Sequence, residues 1–256
     1  MARDETALVV APEKKRKRSD LLAARIRDLI SLHGLSPGDR IPQAWLAEEE
    51  MKASKGTLRE AMKALETQGL IKTRTGPGGG VFVAALSGEQ AMDLLNNLFL
   101  FNQPGIADIF ALRRLVEPEL VADLAGNVEQ KQLEALQATI RLYEAAPKTP
   151  DEALQHRLAD LAFHSVLANL GRNGLMGFVC IFLLRLLRDL AERRAAAWAP
   201  DPEFQERTLD FQLRLVRLLR SGDAQGARAL MESRLAETER QMVDHTGISH
   251  VGEGRE

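Results

Sequence analysis

Between Asp20 and His33, apolar side chains recur at Leu21, Leu22, Ile26, Leu29, Ile30 and Leu32, with Arg25, Arg27 and Asp28 between them. That spacing follows the helical period and predicts an amphipathic helix. Ser19 or Asp20 supplies its N-cap, and Gly34 with Pro37-Gly38 stops it. A short helix over residues 43–51 follows, and Ser54 then caps another from Lys55 to about Gln68, ended by Gly69. On that helix Leu58, Ala61, Met62 and Leu65 share one face, which is expected to be buried. After Gly69 the pattern changes to Leu70-Ile71-Lys72-Thr73-Arg74, a glycine-rich stretch from Thr75 to Gly80, and Val81-Phe82-Val83. This predicts two short strands about a glycine tip. The sum is a helix-turn-helix followed by a wing.

Past residue 86 no strand pattern recurs. Helices are expected near 88–102, 106–125, 129–146, 151–171, 174–197, 202–221 and 223–244, separated by glycine and proline breaks. The fold class is therefore mostly α: an N-terminal winged helix-turn-helix domain over residues 19–85 and a C-terminal all-α helical bundle over 86–250. Residues 1–18 form a basic arm ahead of both.

Composition sharpens this picture at three points. The longest apolar run, residues 174–184, is closed by Arg185 and falls well short of the roughly 20 residues that span a bilayer. No membrane span or secretory leader is expected. Cys180 is the single cysteine, which excludes an intramolecular disulfide and a cysteine-rich zinc module and fits a reducing cytoplasm. The net charge of −2 divides unevenly, at +4 for residues 1–85 and −6 for the rest. Lys14, Lys15, Arg16, Lys17 and Arg18 account for that surplus, so a solvated tail and a phosphate-contacting arm stay open.

The helix opening at Ser54 carries Lys55, Thr57 and Arg59 in its first turns. A recognition helix presents such residues to the major groove: Lys and Arg donate to guanine, and Thr meets phosphate or a thymine methyl. A merely solvated helix face is the competing reading. The wing tilts the balance, because Arg74, Thr75, Gly76 and Gly78 form a tip whose backbone can approach a minor groove closely. A nucleotide-binding loop is excluded there, since no Gly-Lys-Ser/Thr closes it and a strand, not a helix, follows.

These motifs resemble the winged domain of GntR-family transcription regulators: Ile41-Pro42, Leu46-Ala47, Ser54-Lys55-Gly56-Thr57-Leu58-Arg59-Glu60-Ala61, Leu65-Glu66 and Gly69-Leu70-Ile71 stand in the family's order. The family's arginine that opens the second helix has no counterpart at Ala44 and Trp45, which bears on operator preference. The helical part is similar to the FCD effector domain of the FadR-like subgroup, through the stretch from Ile109 to Glu119, Asp160-Leu161-Ala162-Phe163-His164, Arg172-Asn173 and Ser221-Gly222-Asp223-Ala224. The resemblance implies a divalent metal of zinc or nickel type, held by an Asp, a His four residues on and two later histidines, with an organic acid beside it. Asp160 and His164 match the first pair. Gln212 and Arg234 stand where the later histidines would fall, leaving an incomplete metal site. Arginine instead favours an anion. The expectation is therefore a metal-free pocket in which Arg113 and Arg234 hold a small carboxylate, lined by Asp160, His164 and Gln212, with Phe182 and Leu186 as further candidates.

Two competing readings accompany it. Asp160 and Arg234 could form a buried ion pair with His164 an interior histidine, leaving an architectural DNA binder without effector. A metal-dependent helical enzyme using Asp160 and His164 is the other, and it leaves the winged segment unexplained. The residues of 178–187 are expected in the core or a dimer interface, and His33, His156, His245 and His250 at the surface. The expected whole is a non-enzymatic, homodimeric, cytoplasmic regulator that binds palindromic double-stranded DNA.

Overall fold

Lys17, not Ser19 or Asp20, precedes the first turn of α1 (Arg18–Leu32). Asp20 accepts from the Lys17 backbone N–H at 3.3 Å, while Ser19 is buried inside the turn. The computed structural model describes residues 17–85, 87–99, 103–140, 146–194 and 198–246. The expected arm upstream of Lys17 lies outside them, as do His250 and the side chain of His245.

The segment over residues 43–51 is not one helix. It divides into a 3-10 turn, Gln43–Leu46, and α2, Glu48–Met51, with Ala47 extended between them. Tertiary packing accounts for the break: the tight turn carries the Trp45 ring to 4.5 Å from the His33 ring, against the winged-domain core. The next helix, α3 (Lys55–Thr67), begins at Ser54, whose Oγ accepts from the Thr57 N–H at 3.3 Å. Ala61 and Leu65 are fully buried, and Leu58 and Met62 pack beside them, so the face expected to be buried is buried.

Strands β1 (Ile71–Arg74) and β2 (Gly80–Val83) pair antiparallel, with Ile71 opposite Val83 and Arg74 opposite Gly80. The segment before the 3-10 turn adds a partial third strand. Ile41 N–H donates to Val81 O at 2.8 Å, and Val83 N–H to Asp39 O at 2.8 Å.

The remaining described helices are α4 (Gly88–Leu98), α5 (Ile106–Leu124), α6 (Gln130–Ile140), α7 (Pro150–Leu170), α8 (Gly174–Arg193), α9 (Pro202–Ser221) and α10 (Ala224–Thr246). Their order follows the glycine and proline breaks, and the parts of the expected helices 88–102, 129–146 and 174–197 that fall on residues 100–102, 141–145 and 195–197 lie outside the described residues. Contacts divide the chain into two compact units, residues 1–91 and 92–256. In the second, α5 packs against α10, α8, α7 and α9, and α7 against α8. Helix α5 is thus the central element, and two of its polar side chains, Arg113 and Glu117, are buried in the bundle. The alternation of buried and half-buried residues along 178–187 places that stretch in the core.

Candidate functional site

On the winged unit, Lys55, Arg59, Arg74, Thr75, Gly76 and Gly78 are exposed and Thr57 is half-buried. The Thr57 Oγ1 lies 3.0 Å from Ser54 Oγ, which ties its side chain to the cap. Lys55 and Arg59 stand in the first two turns of α3, where the positive end of the helix dipole also lies. The wing is held by contacts that the sequence pattern did not reveal. Arg40 donates through Nη2 to Gly79 O at 2.7 Å, and the Arg74 guanidinium lies 4.7 Å above the Phe82 ring. Gly76 and Gly78 at the tip have φ of 91° and 76°, a conformation that disfavours other residues. Glu66 joins α3 to the wing by accepting from Thr73 N–H at 3.0 Å.

In the helical unit the five residues singled out for an effector come together in one buried polar cluster. Arg113 is on α5, Asp160 and His164 on α7, Gln212 on α9 and Arg234 on α10, each almost without solvent exposure. Asp160 is the hub. Its Oδ1 accepts from Gln212 Nε2 at 3.3 Å and its Oδ2 from Arg234 Nη2 at 3.4 Å, while His164 Nε2 is 3.9 Å away. Arg234 Nη2 also donates to Thr208 Oγ1 at 2.6 Å. Four participants escaped the sequence analysis: Glu117, Arg157, Thr208 and Thr238. Glu117 pairs with Arg113 through both oxygens and lies 2.6 Å from His164 Nδ1. Its position four residues after Arg113 on the same helix was the available signal.

Burial alone would raise the carboxyl pKa of Glu117, yet Arg113 and His164 outweigh it and hold the group down to about 2. Asp160 behaves alike: burial raises it, and Arg234, His164 and Arg113 together bring it below the ordinary carboxylate range. Both are anions at neutral pH. Arg157 is pushed down to about 10 by burial, partly offset by Asp160 and Asp201, and stays a cation. It is stacked between Trp198 at 4.1 Å and Phe204 at 4.5 Å. Two atoms of Arg234, Nε and Nη1, and the Oε1 of Gln212 are buried with no hydrogen-bond partner. A cavity of about 20 Å³ adjoins the cluster, lined by Arg113, Arg157, Asp160, Leu187, Phe204 and Met242 among others.

Three expectations need correction. Phe182 and Leu186 do not line this cavity: Phe182 packs on Phe99 with ring centroids 5.9 Å apart, and Leu186 lines a separate pocket with Asn96, Asp189 and Arg193. The wall residue from α8 is Leu187, one position on, because the helix turns Leu186 toward α4. His156 is buried, not a surface residue, and burial lowers its pKa. The buried Asp160–Arg234 ion pair, raised as a competing reading, is present.

A divalent metal does not fit the residues here. Both carboxylates already face guanidinium groups, and Gln212 turns its amide N–H₂, not its oxygen, toward Asp160. Among the described residues no group of three or more His, Cys, Asp or Glu is arranged to hold an ion. Cys180 is buried, its thiol pushed up to about 12 mainly by burial, and is not a nucleophile at neutral pH.

A winged helix-turn-helix unit joined to an all-α bundle with a buried polar centre defines a two-domain regulator of the helix-turn-helix class. Sequence comparison makes the assignment specific: residues 18–83 match the gntR family of bacterial regulatory proteins and residues 108–237 match the FCD domain. The chain belongs to the GntR family of transcription regulators, in the group that carries an FCD domain. It is 23% identical over 206 residues to the HTH-type transcriptional regulator LutR of Bacillus subtilis, covering 80% of this chain and 92% of that protein. It is 27% identical over 235 residues to the transcriptional repressor NanR of Edwardsiella tarda, covering 88% and 85% respectively. The putative L-lactate dehydrogenase operon regulatory protein of Escherichia coli is 27% identical over 246 residues, covering 90% and 86%. A solved GntR protein of Streptococcus agalactiae shares the fold with a TM-score of 0.58 at 20% identity, over 87% of this chain and 99% of that one. No helix among the described residues is long and apolar enough to cross a membrane.

Proposed function

We propose that this regulator is a cytoplasmic, non-enzymatic homodimer that reads a palindromic operator. Each winged unit takes one half-site, with Lys55, Thr57 and Arg59 in the major groove and Arg74, Thr75, Gly76 and Gly78 at the adjacent backbone or minor groove. A small organic acid bound in the helical domain sets operator affinity. Its effect requires different affinities for the DNA-competent and DNA-incompetent arrangements. The observation that carries the effector half is that Arg234, 3% exposed, leaves Nε and Nη1 buried without a hydrogen-bond partner. A buried guanidinium donor without an acceptor is costly unless a ligand supplies one.

The structure changes the roles within the site. Arg113 is committed to Glu117 and Arg234 Nη2 to Asp160 and Thr208, so Arg234 Nε and Nη1 and the Arg157 guanidinium are what remain for a ligand, with Arg113 as a supporting wall residue. The same arrangement supports a metal-free site. Thermal-shift measurements against mono-, di- and tricarboxylates, each with and without chelator, test it. Stabilisation by a carboxylate that chelator does not remove is the expected result. Ligand at 100 times its dissociation constant adds about 2.7 kcal/mol, well within detection. Shifts abolished by chelator would overturn the metal-free site.

The DNA half is tested separately by operator binding. Lys55→Ala and Arg59→Ala should each cost about 1–3 kcal/mol of operator affinity if they contact bases. Binding unchanged by both, and by Thr57→Ala, would sink the assignment of α3 as the reading helix.

A second reading retains support from one observation. The ion pairs close the cluster on itself, and the adjoining cavity holds about one water molecule. In that reading the bundle only dimerises, and no small molecule changes stability or DNA affinity.

A further inference from the structure

A cavity of about 80 Å³ lies between α4 and α8, against about 20 Å³ for the one beside Asp160. Phe99, Leu186 and Leu190 supply an apolar wall, and Asp189 and Arg193 bring one charge of each sign. These two stand four residues apart on α8, a spacing at which an aspartate and an arginine can pair across one helical turn. Here each is held instead by an amide on the opposite wall. Asn96 Nδ2 donates to Asp189 Oδ2 at 2.7 Å, and the Gln103 amide, with its oxygen turned to the guanidinium, accepts from Arg193.

The amide partners use little of either group's capacity. Asp189 Oδ1 receives no hydrogen bond from a described residue, and a guanidinium has five N–H donors, of which one amide oxygen engages at most two. The cavity therefore presents a free carboxylate oxygen and free guanidinium N–H groups one helical turn apart. A simple anion entering it meets Asp189 as well as Arg193, and a simple cation meets Arg193 as well as Asp189; only a ligand with both charges suits both groups. We propose that this cavity is a second small-molecule site, separate from the buried cluster, and that it takes a zwitterionic α-amino acid with a small apolar side chain. The ammonium donates to Asp189, the carboxylate accepts from Arg193, and the side chain packs on Phe99, Leu186 and Leu190. A ligand held there adds a further link between α4 and α8, which are already joined by Asn96 with Asp189 and by Asp93 with Arg185.

Isothermal titration calorimetry on the intact protein tests this with three molecules of similar size: L-alanine, propionate and ethylamine. L-Alanine should bind, and propionate and ethylamine, each lacking one of the two charges, should bind about tenfold more weakly or worse. Asp189→Asn keeps an acceptor for Asn96 and removes the charge that faces the ammonium; it should weaken L-alanine about tenfold and leave propionate no weaker. Arg193→Gln should weaken L-alanine by a similar factor. Asp189 is half-buried and Arg193 exposed, so both variants should keep the melting transition of the helical domain. Where either fails to fold, the ranking of the three molecules on the unaltered protein decides. Propionate or ethylamine binding as tightly as L-alanine overturns the zwitterion. L-Alanine affinity unchanged in either variant places the ligand elsewhere and overturns the site, as does an absence of L-alanine binding. The response of the buried cluster to carboxylates is independent of all three outcomes.

Discussion

Asp160 joins three helices through one carboxylate, so its removal separates the stability of the cluster from its charge. Asp160→Asn keeps the shape but leaves Arg234 as a buried cation without its counter-charge. Breaking a buried pair in this way costs about 3–5 kcal/mol, and calorimetry should show the loss in the transition of the helical domain. Glu117 gives a pH dependence whose sign is fixed. Its pKa falls from an ordinary 4.5 to about 2 on folding, so the stabilisation is fully present above 4.5 and disappears as pH drops from there through about 2. Denaturant unfolding between those limits should therefore show stability falling with acid, and Glu117→Gln should flatten that slope. At this scale much of the site was legible. Asp160 and His164 stand out by their i, i+4 spacing, Arg113, Gln212 and Arg234 through the resemblance to the FCD domain, and Glu117 could have been found from its spacing. Arg157 and Thr238, three and four residues from Asp160 and Arg234 on the same helices, offered the same signal, whereas Thr208 could not be found, because it reaches Arg234 from α9, which meets α10 only in the folded bundle.

At the scale of elements, helix positions followed the glycine and proline breaks, while the quality of the contacts did not. Gly177 on α8 illustrates this. A Cβ there would stand 2.5 Å from the backbone oxygen of Ala168 on α7, so the two helices approach more closely than any other residue permits. Gly177→Ala should destabilise the helical domain by about 1–3 kcal/mol, since a backbone oxygen cannot rotate aside as a side chain can. The wing shows the same dependence on close approach. A Cβ at Gly79 would meet Arg74 O at 2.6 Å, and one at Gly80 would meet Arg40 Nε at 2.7 Å. Gly79→Ala is expected to weaken operator binding without lowering the melting transition of the helical domain. The glycine-rich tip was evident from the sequence. That Arg40 fastens it was not, because residues 38–41 carry no strand pattern and become strand-like only by pairing with β2.

Taken as a whole molecule, the chain contains two hydrophobic cores that share no residue, one around Ile26, Ala61 and Leu65 and the other around Phe110, Phe163 and Leu215. Leu65→Ala empties space in the first alone, and Leu215→Ala in the second alone; both side chains are fully buried. Each should cost about 2–5 kcal/mol in its own unit. Two calorimetric transitions, each moved by one variant, are the expected result, and a single transition lowered equally by both would contradict independent folding.

The sequence by itself determined the mostly helical class, the division into a winged unit and a bundle, the exposed face of α3 and the Asp160–His164 pair, while Arg113, Gln212 and Arg234 came through the resemblance to the FCD domain. Hydrophobic period, turn residues and i, i+4 spacing are local properties, and each can be evaluated without knowing what lies across the fold. Only the tertiary structure decided which charges neutralise one another, since Arg113 had an equally plausible partner in a ligand until Glu117 and His164 were found beside it. It also decided that Leu187 replaces Leu186 at the cavity, and that Arg234 and Gln212 retain unpaired polar atoms. Those outcomes depend on distances between helices, where one residue of rotation moves a side chain to another face and a few tenths of an ångström decides whether a hydrogen bond forms.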